Sequence, residues 1–344
     1  MSRRKIFRLF GFLIFCGLVL GGWLAYQKIF KPLKLNKGYT YIFIETGDNL
    51  DNLMDELEDK EILQERKTFE WLAKKMDLKE NINSGKYRIN NGMNLRQIIN
   101  LIKYKKEEKI KLTYNSQIHN LEEFITYTAD KLEMNESELE ELLSDESLLS
   151  EYFGLDPDNA FALITPGILE TSWSINVNDF IKLFKNRFND VWNASRKKKA
   201  KQMNMQIAEI ITLASIVQGE SGISSEQQKI AGVYLNRLKK GMLLQADPTL
   251  KFANKKWDAV RIYDGDKEIN SPYNTYKVKG LPPGPISLVK VQAIDAVLNY
   301  TKHNYIFFCA KPELNGYSDF SSSYDQHMKF AAAYQRAMNK KGIK

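Results

Sequence analysis

The chain begins with a long apolar stretch. Residues 9 to 26 carry no charge, and Arg8 and Lys28 flank them. At ~1.5 Å per residue, a helix of this length spans a hydrocarbon core of roughly 30 Å once the flanking cations reach outward. A cleaved secretory signal is the alternative, but its apolar region would be shorter and small residues at a cleavage site would follow. We therefore expect an uncleaved, single transmembrane helix over residues 9–27.

The positive-inside rule does not decide the orientation of this helix, because four basic residues lie on each side of it within residues 1–37. Because a long domain is translocated largely regardless of its charge, and the N-terminal amine adds to the first cluster, we expect a cytosolic tail at 1–8. Residues 28–38 then form a short basic linker, and the remaining chain lies outside the cytosol. This arrangement predicts a single-pass protein of the plasma (inner) membrane.

A small α+β module is predicted over residues 39–114. Residues 39–44, 85–89 and 110–114 are rich in β-branched and aromatic residues, which predicts strands. Apolar residues at helical spacing predict two helices after the first strand and one after the second. The first four elements of this β-α-α-β-α-β order resemble a LysM module, a fold that binds N-acetylglucosamine chains. A small α+β packing domain without that role fits the pattern equally well.

Charge is distributed unevenly in the remaining part, residues 115–344. Between 121 and 158 there are 13 acidic residues and one lysine, at helical spacings that predict a solvated layer of helices. The basic run at 196–201 suggests nucleic acid, yet no aromatic residues interleave with it and no nucleic-acid-binding motif matches. We expect a mixed α+β domain here, no nucleic-acid partner, and therefore an α+β protein overall.

Composition narrows the function classes further. With 43% hydrophobic and 27% charged residues, the 344-residue chain is neither disordered nor collagen-like. The two cysteines lie near opposite ends, and none of the three histidines has the spacing of metal ligands. We therefore expect neither a metal nor a cofactor. A net charge of +8 favours an anionic partner such as lipid or an acidic glycan.

The strongest candidate for catalysis is Glu220. An apolar helix face over 207–217 precedes it, and at ~100° per residue Glu220 falls within about 40° of that face. Ser221 and Gly222 are expected to end the helix in a left-handed cap, which leaves Glu220 in the last turn, at the negative end of the dipole. Burial and the dipole both raise the pKa, as a general acid for glycosidic cleavage requires. The alternative is a helix-terminal Glu turned to solvent.

Residues that suit a glycan follow Glu220 along the chain. A capping box at 225–228 predicts a second helix, with Tyr234 on its apolar face. Asp247 is predicted to cap a further helix with Pro248 at its first position, which makes Asp247 structural. Segments 273–276 and 280–286 predict a stiff loop with aromatic faces for sugar stacking and amides for hydroxyls.

Five segments in order, at 213–220, 236–238, 244–249, 273–276 and 280–284, resemble the motifs of the endolytic murein transglycosylases, the MltG or YceG-like family. The resemblance extends over nearly the whole chain and implies cleavage of nascent peptidoglycan strands outside the inner membrane. Members usually carry a glutamate where this chain has Gln218, so Glu220 is the one carboxylate left to match the catalytic position. The resemblance also implies a set of substrate-binding residues, namely Asn236, Gln245, Tyr273, Asn274 and Tyr276.

One carboxyl suffices for such a lyase. It protonates the glycosidic oxygen between N-acetylmuramic acid and N-acetylglucosamine, and then takes a proton from the C6 hydroxyl, which closes a 1,6-anhydro ring and ends strand elongation. A muramidase-type hydrolase would require a second positioned carboxylate, for which Asp247 is the nearby candidate. A membrane-anchored, glycan-binding scaffold without catalysis is the third hypothesis. Glycan strands are the expected partner, with peptidoglycan synthases as further partners.

Overall fold

A computed structural model describes residues 3–259 and 261–340 as a mixed α+β protein. The described residues cluster into two compact units. The first contains the residues up to 111 together with 131–133 and 170–175, and the second contains the remaining residues. Each unit has its own helices and strands.

The first helix, α1, spans Arg3–Phe30. Its segment Phe10–Phe30 has a mean hydropathy of 1.6 and is not buried against the protein. The helix is therefore long and apolar enough to cross a membrane, a property that it would share with a secretory signal.

The first unit continues with β1 (Tyr39–Ile44), α2 (Leu50–Asp59), α3 (Arg66–Lys75), β2 (Gly85–Asn90) and α4 (Leu95–Lys103), and β3 (Ile110–Tyr114) follows. This order confirms the predicted β-α-α-β-α-β pattern. Strands β1 and β2 pair antiparallel, from Tyr39 opposite Asn90 to Ile44 opposite Gly85. Alternate residues of the two strands, Ile42, Ile44, Tyr87 and Ile89, are fully buried against the helices.

Residues 31–38, expected to be a linker, are bonded to the turn that follows β2. The amide of Leu33 donates to the carbonyl of Met93 at 2.7 Å, and the amide of Gly92 donates back to Leu33 at 3.0 Å. The amide of Asn91 donates to Gly38 at 2.9 Å. The segment after α1 is therefore an ordered part of the first unit rather than a free tether.

The second unit contains most of the helices. Its elements are α5 (Leu121–Ala129), α6 (Glu136–Ser144), α7 (Glu146–Phe153), β4 (Gly167–Thr171), α8 (Val177–Val191), α9 (Ala194–Gln202), α10 (Ile207–Glu220), α11 (Ser224–Lys239), α12 (Asp247–Ala253), α13 (Val291–Leu298), β5 (Phe307–Ala310), β6 (Ser318–Ser321) and α14 (Tyr324–Lys340). Strand β3 pairs with β4, and β5 pairs antiparallel with β6. The acid-rich segment forms α5 to α7, as predicted, with apolar residues such as Phe124 and Leu139 turned inward.

Helix α10 is the centre of the second unit. Leu213, Ala214, Ile216 and Val217 have no solvent exposure, and the helix contacts α11, α12 and α13. Burial on nearly every side fixes the helix in position, so its last turn is held rigidly. That turn carries Glu220.

Candidate active site

Glu220 is the last residue of α10, and its side chain is partly buried. The expected left-handed cap is wrong, because Ser221 is extended, with φ −152° and ψ 141°. The side chain of Gln227 donates to the Ser221 carbonyl at 2.7 Å, and the Ser221 hydroxyl accepts from the amide of Ile223 at 3.1 Å. These side-chain bonds organise the turn without a left-handed residue.

Tyr234 holds the Glu220 carboxyl. The Tyr234 hydroxyl donates to Glu220 Oε1 at 2.6 Å, and the tyrosine itself is 1% exposed. Sequence reasoning placed Tyr234 on an apolar face and missed this role. The signal was present, since a buried tyrosine hydroxyl requires a hydrogen-bond partner. With Oε1 engaged, Oε2 is the oxygen left to meet a substrate.

Helix α11 begins two residues earlier than the sequence predicted. Ile223 is its N-cap and makes no side-chain capping bond, so the predicted capping box at 225–228 is wrong. Glu226 in the first turn is buried and accepts a hydrogen bond from the amide of Ser318 at 2.8 Å. This long-range bond ties the start of α11 to β6.

A second carboxyl–tyrosine pair lies beside the first. Tyr276 donates its hydroxyl proton to Asp247 Oδ1 at 2.6 Å, and Asp247 is exposed. The predicted capping role of Asp247 is wrong, because the N-cap of α12 is Ala246 and Asp247 is already helical. The carboxyl of Asp247 therefore serves a tyrosine 29 residues away rather than the start of its own helix.

Gly219 brings the two carboxyls together. A Cβ atom at this position would lie 2.7 Å from Pro248 Cβ, a distance that real Cβ atoms do not adopt. The last turn of α10 can therefore approach the first turn of α12 only because residue 219 lacks a side chain. As a result, Asp247 lies near enough to Glu220 for its charge to act on that carboxyl.

The pKa of Glu220 is raised to about 7, chiefly by burial. The negative charge of Asp247 raises it further, while the Tyr234 hydrogen bond and the cations Lys251 and Arg237 lower it. The predicted upward shift is confirmed, and Asp247 is a cause that the sequence did not reveal. A carboxyl of this kind is part protonated at neutral pH, so it can both donate and accept a proton.

Two sequence segments that flank the site are bonded to each other. Gln245 has a left-handed backbone, with φ 49°, and its amide donates to the Thr275 carbonyl at 3.0 Å. The amide of Ala246 donates to the Thr275 hydroxyl at 3.0 Å. The side chain of Gln245, two residues before Asp247 in the sequence, is exposed to solvent. The geometry thus combines a protonatable carboxyl, a second carboxylate, two tyrosines and a rigid rim.

The model of the YceG-like family matches residues 42–333. This chain belongs to the YceG-like family. An endolytic murein transglycosylase of Bacillus subtilis (strain 168) is 28% identical over 343 residues, covering 94% of this chain and 93% of that protein. An endolytic murein transglycosylase of Streptococcus pneumoniae (strain D39) is 36% identical over 117 residues, covering 32% of this chain and 21% of that protein.

A crystal structure of a putative yceG-like protein from Listeria monocytogenes matches the fold. Its TM-score is 0.55 at 24% identity, and the match covers 86% of this chain and 99% of that one. This likeness supports the architecture described above.

Three of the residues matched to the YceG-like motifs support loops. The side-chain amide of Asn236 donates to the carbonyls of His303 (2.8 Å) and Tyr305 (2.9 Å). Asn274 is fully buried, donates to the carbonyls of Lys267 and Ile269, and accepts from the amide of Tyr276. The ring of Tyr273 packs against Phe252 at 4.5 Å and is partly exposed. Glycan contact at these residues stays a prediction.

Gln218 ties α10 to the segment before α13. Its Nε2 donates to the carbonyl of Leu288 at 2.9 Å, and its Oε1 accepts from the amide of Lys290 at 2.9 Å. An amide satisfies both backbone groups, whereas a carboxylate could satisfy only the amide. Gln218 therefore has a structural role on the helix that carries Glu220.

Within residues 3–259 and 261–340, no group of three or more His, Cys, Asp and Glu side chains is placed to hold a metal ion. Two of the three histidines of this YceG-like chain are hydrogen-bonded to protein groups. His119 pairs with Glu123 at 2.8 Å, and His303 contacts the carbonyl of Lys229 at 2.9 Å. The reactive groups at the candidate active site are carboxyl and hydroxyl groups.

Proposed function

We propose that this chain is an endolytic peptidoglycan lytic transglycosylase that cleaves between N-acetylmuramic acid and N-acetylglucosamine in nascent strands. The observation that carries the proposal is Glu220, a carboxyl with a pKa of about 7 that Tyr234 holds at the end of a buried helix. Membership of the YceG-like family and the names of its relatives agree with this activity.

In the first step, the Glu220 carboxyl donates its proton to the glycosidic oxygen, and the bond from that oxygen to C1 of N-acetylmuramic acid breaks. Positive charge develops at the ring, and the nearby Asp247 carboxylate stabilises it. In the second step, the Glu220 carboxylate takes the proton from the C6 hydroxyl while O6 bonds to C1. The proton has returned to Glu220, and the product carries a 1,6-anhydro end.

A muramidase-type hydrolase is the second candidate, favoured by the proximity of Asp247 to Glu220. In that reaction Asp247 would activate a water molecule, and the product would carry a reducing end. The Tyr276 hydroxyl already occupies Asp247 Oδ1, which leaves one carboxylate oxygen of Asp247 to position a water molecule. For this reason we favour the single-carboxyl mechanism.

Mass spectrometry of the products from uncross-linked peptidoglycan tests the proposal. Anhydro ends are the expected result. Reducing ends would favour the hydrolase, and intact strands would favour a glycan-binding scaffold. The Glu220→Gln variant of the full chain should release neither product while still binding strands.

We assign substrate contact first to Gln245 and Tyr276, whose side chains reach the surface beside the two carboxyls. Tyr273 offers a partly exposed ring beside them. Asn236 and Asn274 support substrate binding indirectly, because their amides hold the loops that form the rim. Alanine at Gln245 should raise KM with little loss of stability, whereas alanine at Asn274 should lower the melting temperature.

We further propose that α1 is an uncleaved anchor with a cytosolic N-terminus and an extracytoplasmic catalytic unit over residues 115–344. The module at 39–114, LysM-like in its β-α-α-β order, contributes glycan affinity, and peptidoglycan synthases supply the nascent strand. Protease treatment of intact spheroplasts should digest the catalytic unit. Protection of that unit, or mature protein that starts near Tyr26, would contradict this topology.

A further inference from the structure

A second concave site lies in the unit that carries Glu220. It is a cleft of about 870 Å³ formed by the chain after β3, by α5 and by the segment after α12. This volume is in the range of small-ligand pockets. The side chains that provide its aromatic and neutral polar surface are Thr113, Asn115, Gln117, Thr126, Tyr127 and Trp257.

Trp257 is fixed as a flat platform in this cleft. Its ring stacks on His119 with centroids 4.5 Å apart and planes 8° apart. Glu123 holds His119 in turn, because its Oε2 accepts from the His119 amide and also pairs with Nδ1, both at 2.8 Å. A ring that is already immobile loses little entropy when a ligand stacks on it.

Helix α12 connects the cleft to Glu220. Its first residue, Asp247, lies near Glu220, and Trp257 follows its last turn. Phe252 near its end touches both the Trp257 ring, at 5.6 Å, and the Tyr273 ring, at 4.5 Å. Seven helical residues at ~1.5 Å each span about 10 Å, and Trp257 lies four residues beyond the end of α12, so the cleft is a separate place from the bond-cleaving residue.

The charge of the lining selects the ligand chemistry. Glu122, Glu123 and Asp130 contribute carboxylates, whereas Lys255 contributes an ammonium group. An anionic polymer would be repelled by this surface. Uncharged saccharide units fit it, since their hydroxyls donate to carboxylates and amide oxygens, and their apolar ring faces pack on tryptophan.

We propose that this cleft is a distal saccharide subsite, which binds uncharged N-acetylhexosamine units of the glycan strand away from the bond that Glu220 cleaves. The inference rests on the proposed function, since it takes the glycan as the substrate. The subsite gives the enzyme a preference for strands long enough to fill both places. It thereby accounts for cleavage within a strand rather than at its end.

Binding of uncharged N-acetylglucosamine oligomers to the full-length Glu220→Gln protein tests the subsite without any turnover and without the lactyl carboxylates of peptide-free strands. Adding Trp257→Ala should weaken binding roughly tenfold, as for an aromatic anchor at a binding site. Thr126→Trp, which fills the cleft from an exposed position of α5, should weaken it similarly without disturbing the core. Tyr152→Ala, on α7 and outside the cleft lining, is the control and should leave the dissociation constant unchanged.

Unchanged binding in both Trp257→Ala and Thr126→Trp would overturn the proposal. Weakened binding of peptide-bearing strands alone would also overturn it, because the cleft would then recognise the peptide and not the sugar. In the active protein, Trp257→Ala should lower kcat/KM for long strands and leave it unchanged for short oligosaccharides. If the unmodified protein releases no anhydro ends, the proposed function fails, whereas the binding comparison still decides the subsite.

Discussion

Two carboxyl groups lie on either side of the turn between α10 and α11, and their surroundings differ sharply. Glu226 has no solvent exposure, accepts a hydrogen bond from the Ser318 amide and forms an ion pair with Lys229 at 3.4 Å. Glu220 is partly buried and receives a single tyrosine hydroxyl, with the carboxylate of Asp247 nearby.

The difference shows that burial alone does not make a carboxyl suitable for acid catalysis. The carboxyl of Glu226 is held inside the fold by the Ser318 amide and by Lys229, and both contacts serve the packing of α11. Burial is the largest cause that raises the pKa of Glu220 to about 7, and the charge of Asp247 adds to it. The contacts around each carboxyl, and not only the burial, separate the structural carboxyl from the candidate acid.

The largest effect is expected from replacing each carboxyl by its amide. Glu220→Gln should reduce release of anhydro products by at least ~100 to 10,000-fold, because proton transfer is lost while the shape is kept. Glu226→Gln is the matched control and should keep activity within a few fold. It should cost roughly 1 kcal/mol of unfolding free energy, since the ion pair is lost and the Ser318 bond can persist. Turnover assays and denaturant titrations measure both.

Moving the two active-site helices apart is expected to have the next largest effect. Gly219→Ala places a methyl group against Pro248, which should cost about 1 to 3 kcal/mol and reduce turnover by up to ~100-fold by displacing the Glu220 carboxyl from its position in the site. Gly222→Ala lies on the other side of Glu220, where a Cβ meets nothing within 4 Å. Equal effects of the two variants on turnover would contradict the role assigned to the close helix contact.

The pH dependence of stability provides a third test. The folded-state pKa of Glu220 lies above its unfolded value, so protonation favours the folded state at low pH and this contribution is lost as pH rises through about 7. Glu220→Gln cannot ionise, so it should be more stable than the parent above pH 7, by roughly 1 to 3 kcal/mol at pH 9. Melting temperatures of both proteins from pH 5 to 9 measure this. Parallel curves would contradict the raised pKa.

Removal of the tyrosine hydroxyl should shift the pH–rate profile. Tyr234→Phe deletes a hydrogen bond that stabilises the Glu220 carboxylate, so its pKa should rise above 7 by roughly one unit. Because the first step needs protonated Glu220, the alkaline limb of kcat/KM should move to higher pH. Tyr276→Phe, which removes the bond to Asp247 instead, should move that limb less. The same shift in both variants would disprove a specific role for Tyr234.

The smallest shift of the pH–rate profile is expected from Asp247→Asn, and this shift is toward lower pH. Loss of the neighbouring negative charge should lower the pKa of Glu220, so the alkaline limb should move to lower pH by less than about one unit. Asparagine can still accept the Tyr276 hydrogen bond, so stability should change little. Complete loss of turnover in this variant, with the fold intact, would favour the two-carboxyl hydrolase mechanism.

Local patterns in the sequence determined much of this protein. The period of apolar residues predicted the β-α-α-β-α-β order of the first unit and the buried face of α10, because side-chain spacing alone decides which positions can share a face. The same spacing placed Glu220 at the end of that helix with a raised pKa. Caps such as the one that Asn94 forms with Gln97 are also set by the local sequence, since both partners of the capping bond lie within one turn.

Only the tertiary structure decided which groups surround Glu220. Tyr234 is 14 residues away and Asp247 is 27 residues away, and both reach Glu220 through the packing of α10 against α11 and α12. The predicted capping role of Asp247 is wrong because its helix begins at that residue and its carboxyl accepts from Tyr276, and the 225–228 capping box is wrong because α11 begins at Ser224. A side chain that finds a buried partner across the fold gains more than one that caps its own helix, and the chain sequence alone does not state which partner will be near.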